Sequence, residues 1–130
     1  MINFKDMPEI RKQDKNHFAL TKNFIFTYDN GDFVKYVTIP KGYVTNGADI
    51  PRFFWRLFPP FSPEYLPAVI VHDYFCDEAE KNHNNKQLAK NLYKFADTLF
   101  KESLLALGVS RWKTTLFYNA VRLHHKLKNI

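Results

Sequence analysis

The chain has 130 residues, a formal charge of +6 and a single cysteine. That length suits one domain with a core of its own, and one cysteine excludes an intramolecular disulfide framework. No segment has the length and apolarity of a membrane span, and Met1 to Asn16 contains no continuous apolar run of the signal-peptide kind, so a reduced cytoplasmic site of synthesis is expected.

Two stretches, Phe18 to Tyr28 and Phe33 to Ile39, are rich in aromatic and β-branched residues and read as strands. Between them lies Asp29-Asn30-Gly31-Asp32, whose Asn-Gly pair is a strong hairpin signal. Within the second strand neither face is wholly polar, so one face is expected under helices. Pro40-Lys41-Gly42 stops that strand, and Tyr43-Val44-Thr45 is placed to resume pairing before the Asn46-Gly47 turn.

Beyond Gly47 the pattern turns helical. Phe53 to Phe61 is too rich in proline for a continuous helix and too apolar to stand free in water. Phe54, Trp55, Phe58 and Phe61 are expected to plug the core, with a lipid or protein docking surface as the alternative. A helix follows from about Pro67 to Glu80, then a second from Lys86 to Leu107, stopped at Gly108. Ser110 is the expected cap of a third helix, with Trp112, Leu116, Ala120, Leu123 and Leu127 as its core-facing stripe. The fold class is therefore α+β: an antiparallel hairpin or small three-stranded sheet packed on three helices. One domain spans 1–130, β-rich to residue 46, with the aromatic loop over 47–66 and helices from 67 onward.

Ionisable groups interrupt two of the apolar stripes. On the first helix His72 shares a face with Ala68, Phe75, Cys76 and Ala79; on the second, Asp97 sits among Ala89, Tyr93, Ala96, Phe100 and Leu104. Burying either group alone costs several kcal/mol, whereas a hydrogen-bonded pair removes most of that penalty. His72 and Asp97 are thus expected to meet between the helices, either as a strut fixing their angle or as a catalytic base with its orienting acid. Asp73, one position further round, is a candidate cation ligand or a solvated neighbour of Asp77 and Glu80. Cys76 is expected to be an ordinary buried thiol rather than a nucleophile, and His124 and His125 are expected at the surface.

Ser110 to Ile130 carries Arg111, Lys113, Arg122, Lys126 and Lys128 without a side-chain acid. The expected reading is a solvated helix face, with phosphates, an anionic membrane surface or an acidic partner as alternatives. No nucleic-acid-binding signature, zinc-ligand spacing or phosphate loop is present.

Three segments taken together, Ile39 to Pro51, Ala68 to Tyr74, and Ala96-Asp97 with Phe100, resemble a family of small phage and prophage proteins defined only as a domain of unknown function. That resemblance implies a host-cytoplasmic or virion-associated protein, with phage structural proteins or a cell-envelope substrate as partners. The same succession is similar, more weakly, to small bacterial and fungal phospholipases A2. This second resemblance implies a hydrolase in which His72 is the base, Asp97 orients it, and Asp73 with the Asn46 to Asp49 turn holds calcium. The chain departs from both patterns in having Asn46 where an aspartate is usual and Cys76 where a tyrosine is usual. The other expectation is a non-enzymatic virion, tail-assembly or host-interaction protein that keeps the pair as a strut.

Overall fold

A computed structural model describes residues 2–14, 17–29, 31–45 and 64–128, together with Arg56, Pro59 and Ser62. Six strands precede three helices: β1 (Ile2–Phe4), β2 (Ile10–Asp14), β3 (His17–Leu20), β4 (Phe24–Asp29), β5 (Val34–Ile39) and β6 (Val44–Thr45), then α1 (Leu66–Lys81), α2 (Lys86–Ala106) and α3 (Arg111–Lys128). The strands form two three-stranded antiparallel sheets, ordered β1-β4-β5 and β2-β3-β6. This is the α+β class expected from sequence, with more strand than the sequence disclosed.

The hairpin forms where Asn30-Gly31 places it. Asp29 pairs with Val34, Gly31 takes φ +94°, and its N–H donates to the Asp29 carboxylate at 2.8 Å. Alternation along β4 turns Phe24 and Phe26 inward and leaves Ile25 exposed. Phe24, Phe26 and Ile39 pack with Leu66, Ile70 and Val71 of α1 and Leu99 of α2, so that face of the sheet is covered by helices. Each such side chain contributes about 1.5–3 kcal/mol of burial.

Phe18 to Tyr28 is not one strand. The chain breaks at Thr21-Lys22-Asn23 and passes from one sheet to the other, and the Asn23 side chain accepts the Lys41 N–H at 2.8 Å across the break. β1 and β2 carry no strand signal in sequence: β1 is short, and β2 is mostly exposed with its charged residues facing water.

α1 is the central element. Every residue from Tyr65 to Asp73 is buried, because Leu66, Ile70 and Val71 pack on the β1-β4-β5 sheet while Ala68 and Val69 pack on helices. Asn85 caps α2 by accepting the Leu88 N–H at 3.1 Å. Gly108, at φ +85°, ends it, and the Val109 N–H returns to the Leu104 carbonyl at 3.0 Å.

α3 departs from expectation. Its inward face is Thr114, Phe117, Val121 and His125, whereas Trp112 is 65% exposed, Leu123 59% and Leu127 61%, with Leu116 also exposed and Ala120 partly so. The stripe expected in the core therefore faces outward. The inward face wins because Phe117 packs edge-on against Phe100 and Tyr65, and because His125 finds a buried carboxylate.

Candidate active site

Three helices each bring polar groups to one buried point. His72 of α1 and Asp97 of α2 are both wholly inaccessible, and His72 Nε2 lies 2.6 Å from Asp97 Oδ1. The other carboxylate oxygen, Oδ2, accepts from His125 Nδ1 at 2.8 Å and from Arg122 Nη1 at 2.9 Å. Burial pushes the Asp97 carboxyl up, but the hydrogen bonds donated by His125 and His72 outweigh it and hold it below the ordinary 3.8. Asp97 is consequently ionised, and an ionised carboxylate only accepts. Protons must then sit on His72 Nε2 and on His125 Nδ1.

This fixes the remaining ring atoms. In its neutral form His72 leaves Nδ1 unprotonated, and among the described residues that buried nitrogen has no hydrogen-bond partner. The imidazole stacks on Phe100 with ring centroids 4.7 Å apart, which sets its plane. Cys76 Sγ lies 3.5 Å from His72 Nε2 and 3.7 Å from His125 Nε2, placed to donate its thiol proton to the latter. Donor atoms of His72, Cys76, Asp97 and His125 all lie within 4.8 Å of one another, a spacing that a borderline cation could occupy. The hydrogen bonds at 2.6 and 2.8 Å show the same atoms satisfying one another.

His125 was expected at the surface and is instead part of this centre. Its spacing from Phe117 and Val121 was the available signal, but the more apolar outward stripe concealed it. Arg122, at the rim, was likewise not singled out as a site residue. Cys76 is buried as expected.

Asp73 belongs to a different face of α1. It is 3% exposed rather than solvated, and with Asp77 it lies against Tyr43, whose hydroxyl donates to Asp77 Oδ2 at 2.6 Å. Burial first, then the charges and hydrogen bonds of Asp73 and Asp77, drive the Tyr43 hydroxyl well above its ordinary pKa. Two carboxylates and a hydroxyl converging here are hard oxygen donors, which suit calcium. Asn46, Asp49, Phe54, Trp55, Phe58 and Phe61 lie outside the described residues.

The model of the protein family of unknown function DUF1353 matches residues 18–121 of this chain. The chain belongs to the DUF1353 family. The match takes in His72, Asp73, Cys76 and Asp97 and ends just before Arg122, so two of the residues that complete the buried centre follow the matched segment. The DUF1353 chain is similar to the uncharacterized protein y4jT of Sinorhizobium fredii (strain NBRC 101917 / NGR234), with 33% identity over 105 residues. That alignment covers 80% of this chain and 27% of the relative, so the chain spans about a quarter of the relative's length. No solved structure matches the chain.

Proposed function

We propose that this DUF1353 protein is a phage or prophage accessory hydrolase in which His72 is the general base for attack of water on an ester or amide. The observation that carries the reading is the division of the His72 ring. Nε2 is held by an ionised Asp97 at 2.6 Å, while Nδ1 has no hydrogen bond among the described residues. A base needs that arrangement: one nitrogen fixed in tautomer and orientation, the other with its lone pair available. The reading requires the buried ring to open to solvent; Nδ1 then takes a proton from water, the hydroxide oxygen adds to the acyl carbon, and Nδ1 returns the proton to the departing alkoxide or amine. Asp97 stabilises the imidazolium formed in between, and Arg122 and His125 hold Asp97 still by engaging its second oxygen.

Asp73, with Asp77 and Tyr43 beside it, would hold calcium, with Asn46 and Asp49 as the remaining donors inferred from sequence. When bound, calcium would neutralise negative charge developing on the acyl oxygen.

The test is a hydrolysis screen on phospholipids and on peptidoglycan fragments, with wild type and His72→Ala compared after circular dichroism shows both folded. Wild type should turn over one class, and loss of the base should slow it by about 10²–10⁴-fold. Equal background in both would end the hydrolase reading. The second reading is a non-enzymatic virion, tail-assembly or host-interaction protein. It draws on one observation: the side chains of His72 and Asp97 are wholly inaccessible, as a strut's would be.

A further inference from the structure

We propose that α3 docks on an anionic lipid surface, with Trp112, Leu116, Leu123 and Leu127 entering the headgroup boundary and the cations beside them engaging lipid phosphates. The inference concerns the outward face of α3 and the cleft beside it, whose wall shares Arg122 and His125 with the buried centre, and it stands whether or not the protein hydrolyses anything.

Two properties of α3 conflict in an ordinary surface helix. Its inward face is already satisfied by Phe117, Val121 and His125, yet its outward face carries a second apolar stripe four turns long, with Trp112 at one end and Leu127 at the other. A helix that is polar outside would place charges at those positions. Cations stand along both borders of the stripe: helical spacing puts Arg122 and Lys126, with the uncharged Thr115 and Asn119, along one edge and Lys113 on the other, and α3 contains no acid. An apolar strip edged by basic residues, with an indole at its end, is the composition of a helix lying in a bilayer interface.

The basic edge is continuous with a cleft. Lys90 and Lys94 of α2, one turn apart, face Arg122 and Lys126 of α3 across a cavity of about 430 Å³ that has no acidic residue in its wall. Lys22 and Lys81 elsewhere on the surface pair with Glu9 and Glu78. Lys90, Lys94 and Lys126 make no ion pair among the described residues. Lys90, Lys94 and Lys126 converging beside an apolar stripe, with Arg122 held by Asp97 behind them, fit phosphate headgroups, whose acyl chains the stripe would meet. Charge also decides against a second copy of this chain as the occupant, because stripe-to-stripe contact would bring the basic edges of two helices together.

Sedimentation with vesicles of phosphatidylcholine, with and without phosphatidylglycerol, tests this directly, using Leu123→Ser/Leu127→Ser and Lys90→Glu/Lys94→Glu variants. The replaced side chains are exposed, so the folded state should survive, which circular dichroism verifies. Wild type should bind only the phosphatidylglycerol vesicles, and each double variant should bind at least roughly tenfold more weakly. In a Trp55→Phe background the Trp112 emission should shift to the blue on binding. The proposal fails if wild type ignores anionic vesicles, or if the leucine variant binds as well as wild type. It also fails if the leucines instead hold a dimer that the variant dissociates in the absence of lipid. Vesicle binding is read without turnover, so its failure is distinguishable from failure of the hydrolase reading.

Discussion

Replacing Asp97 by asparagine keeps the shape of the side chain and removes one acceptor and the charge. Asp97 accepts three hydrogen bonds, at 2.6 Å from His72, 2.8 Å from His125 and 2.9 Å from Arg122. An amide has one oxygen, and Arg122 has no form that accepts, so the oxygen must stay on the Arg122 and His125 side. The NH₂ then faces His72 Nε2, and the ring must move its proton to Nδ1. The His125 bond becomes neutral, the Arg122 bond exchanges a charged acceptor for a neutral one, and the His72 bond reverses direction, each losing about 1 kcal/mol on the difference between charged and neutral hydrogen bonds. The sum, about 3 kcal/mol, agrees with the lower end of what breaking a buried ion pair costs. For a chain of this length that is a fall in Tm of roughly 10 °C. Urea denaturation at neutral pH should show the midpoint lowered at unchanged slope. The same variant should lose any activity, because the lone pair that serves as base has been protonated. An Asp97→Asn protein within about 0.5 kcal/mol of wild type, the range of ordinary surface substitutions, would refute the reasoning.

Acid should act on the same group. Asp97 is held below its ordinary value, so it stabilises the fold at every pH above that value and loses the contribution as pH falls through the folded pKa. Stability should therefore decline below about pH 4, and the decline should be shallower in Asp97→Asn; parallel curves for the two proteins through that window would contradict the assignment. At the other face of α1, calcium should raise the Tm of wild type in proportion to the logarithm of its concentration, and Asp73→Asn should abolish the rise. A calcium response surviving in the variant would show that Asp73 is not a ligand, and magnesium matching calcium in wild type would show that the site is not selective for calcium.

The parts of this fold that were legible in sequence are those where local chemistry and tertiary demand agree. Gly31 needed only its own positive φ to turn the hairpin, and Gly108 only its own φ to end α2. His72 and Asp97 were legible because a charge on an apolar stripe requires a partner and each was the other's best candidate. Where two outcomes share the same local pattern, sequence did not discriminate. The aromatic run from Phe18 to Tyr28 alternates in the same way whether it is one strand or two, and only the crossing at Thr21 to Asn23 between sheets divides it. On α3 apolarity alone favours burying the stripe from Trp112 to Leu127. The protein instead buries the face that carries His125 to Asp97, where an imidazole finds a charge and Phe117 finds Phe100. Asp73 showed the same ambiguity one step round the helix from His72: its burial against Tyr43 depends on a contact 30 residues away in sequence.

The catalytic reading turns on which His72 nitrogen carries the proton. Long-range ¹H–¹⁵N correlation spectra of the histidine rings at neutral pH report it directly. His72 should carry its proton at Nε2, slowly exchanging and shared with Asp97, and leave Nδ1 unprotonated. A ring protonated at Nδ1 instead, or one that exchanges its proton freely with solvent, would contradict that reading.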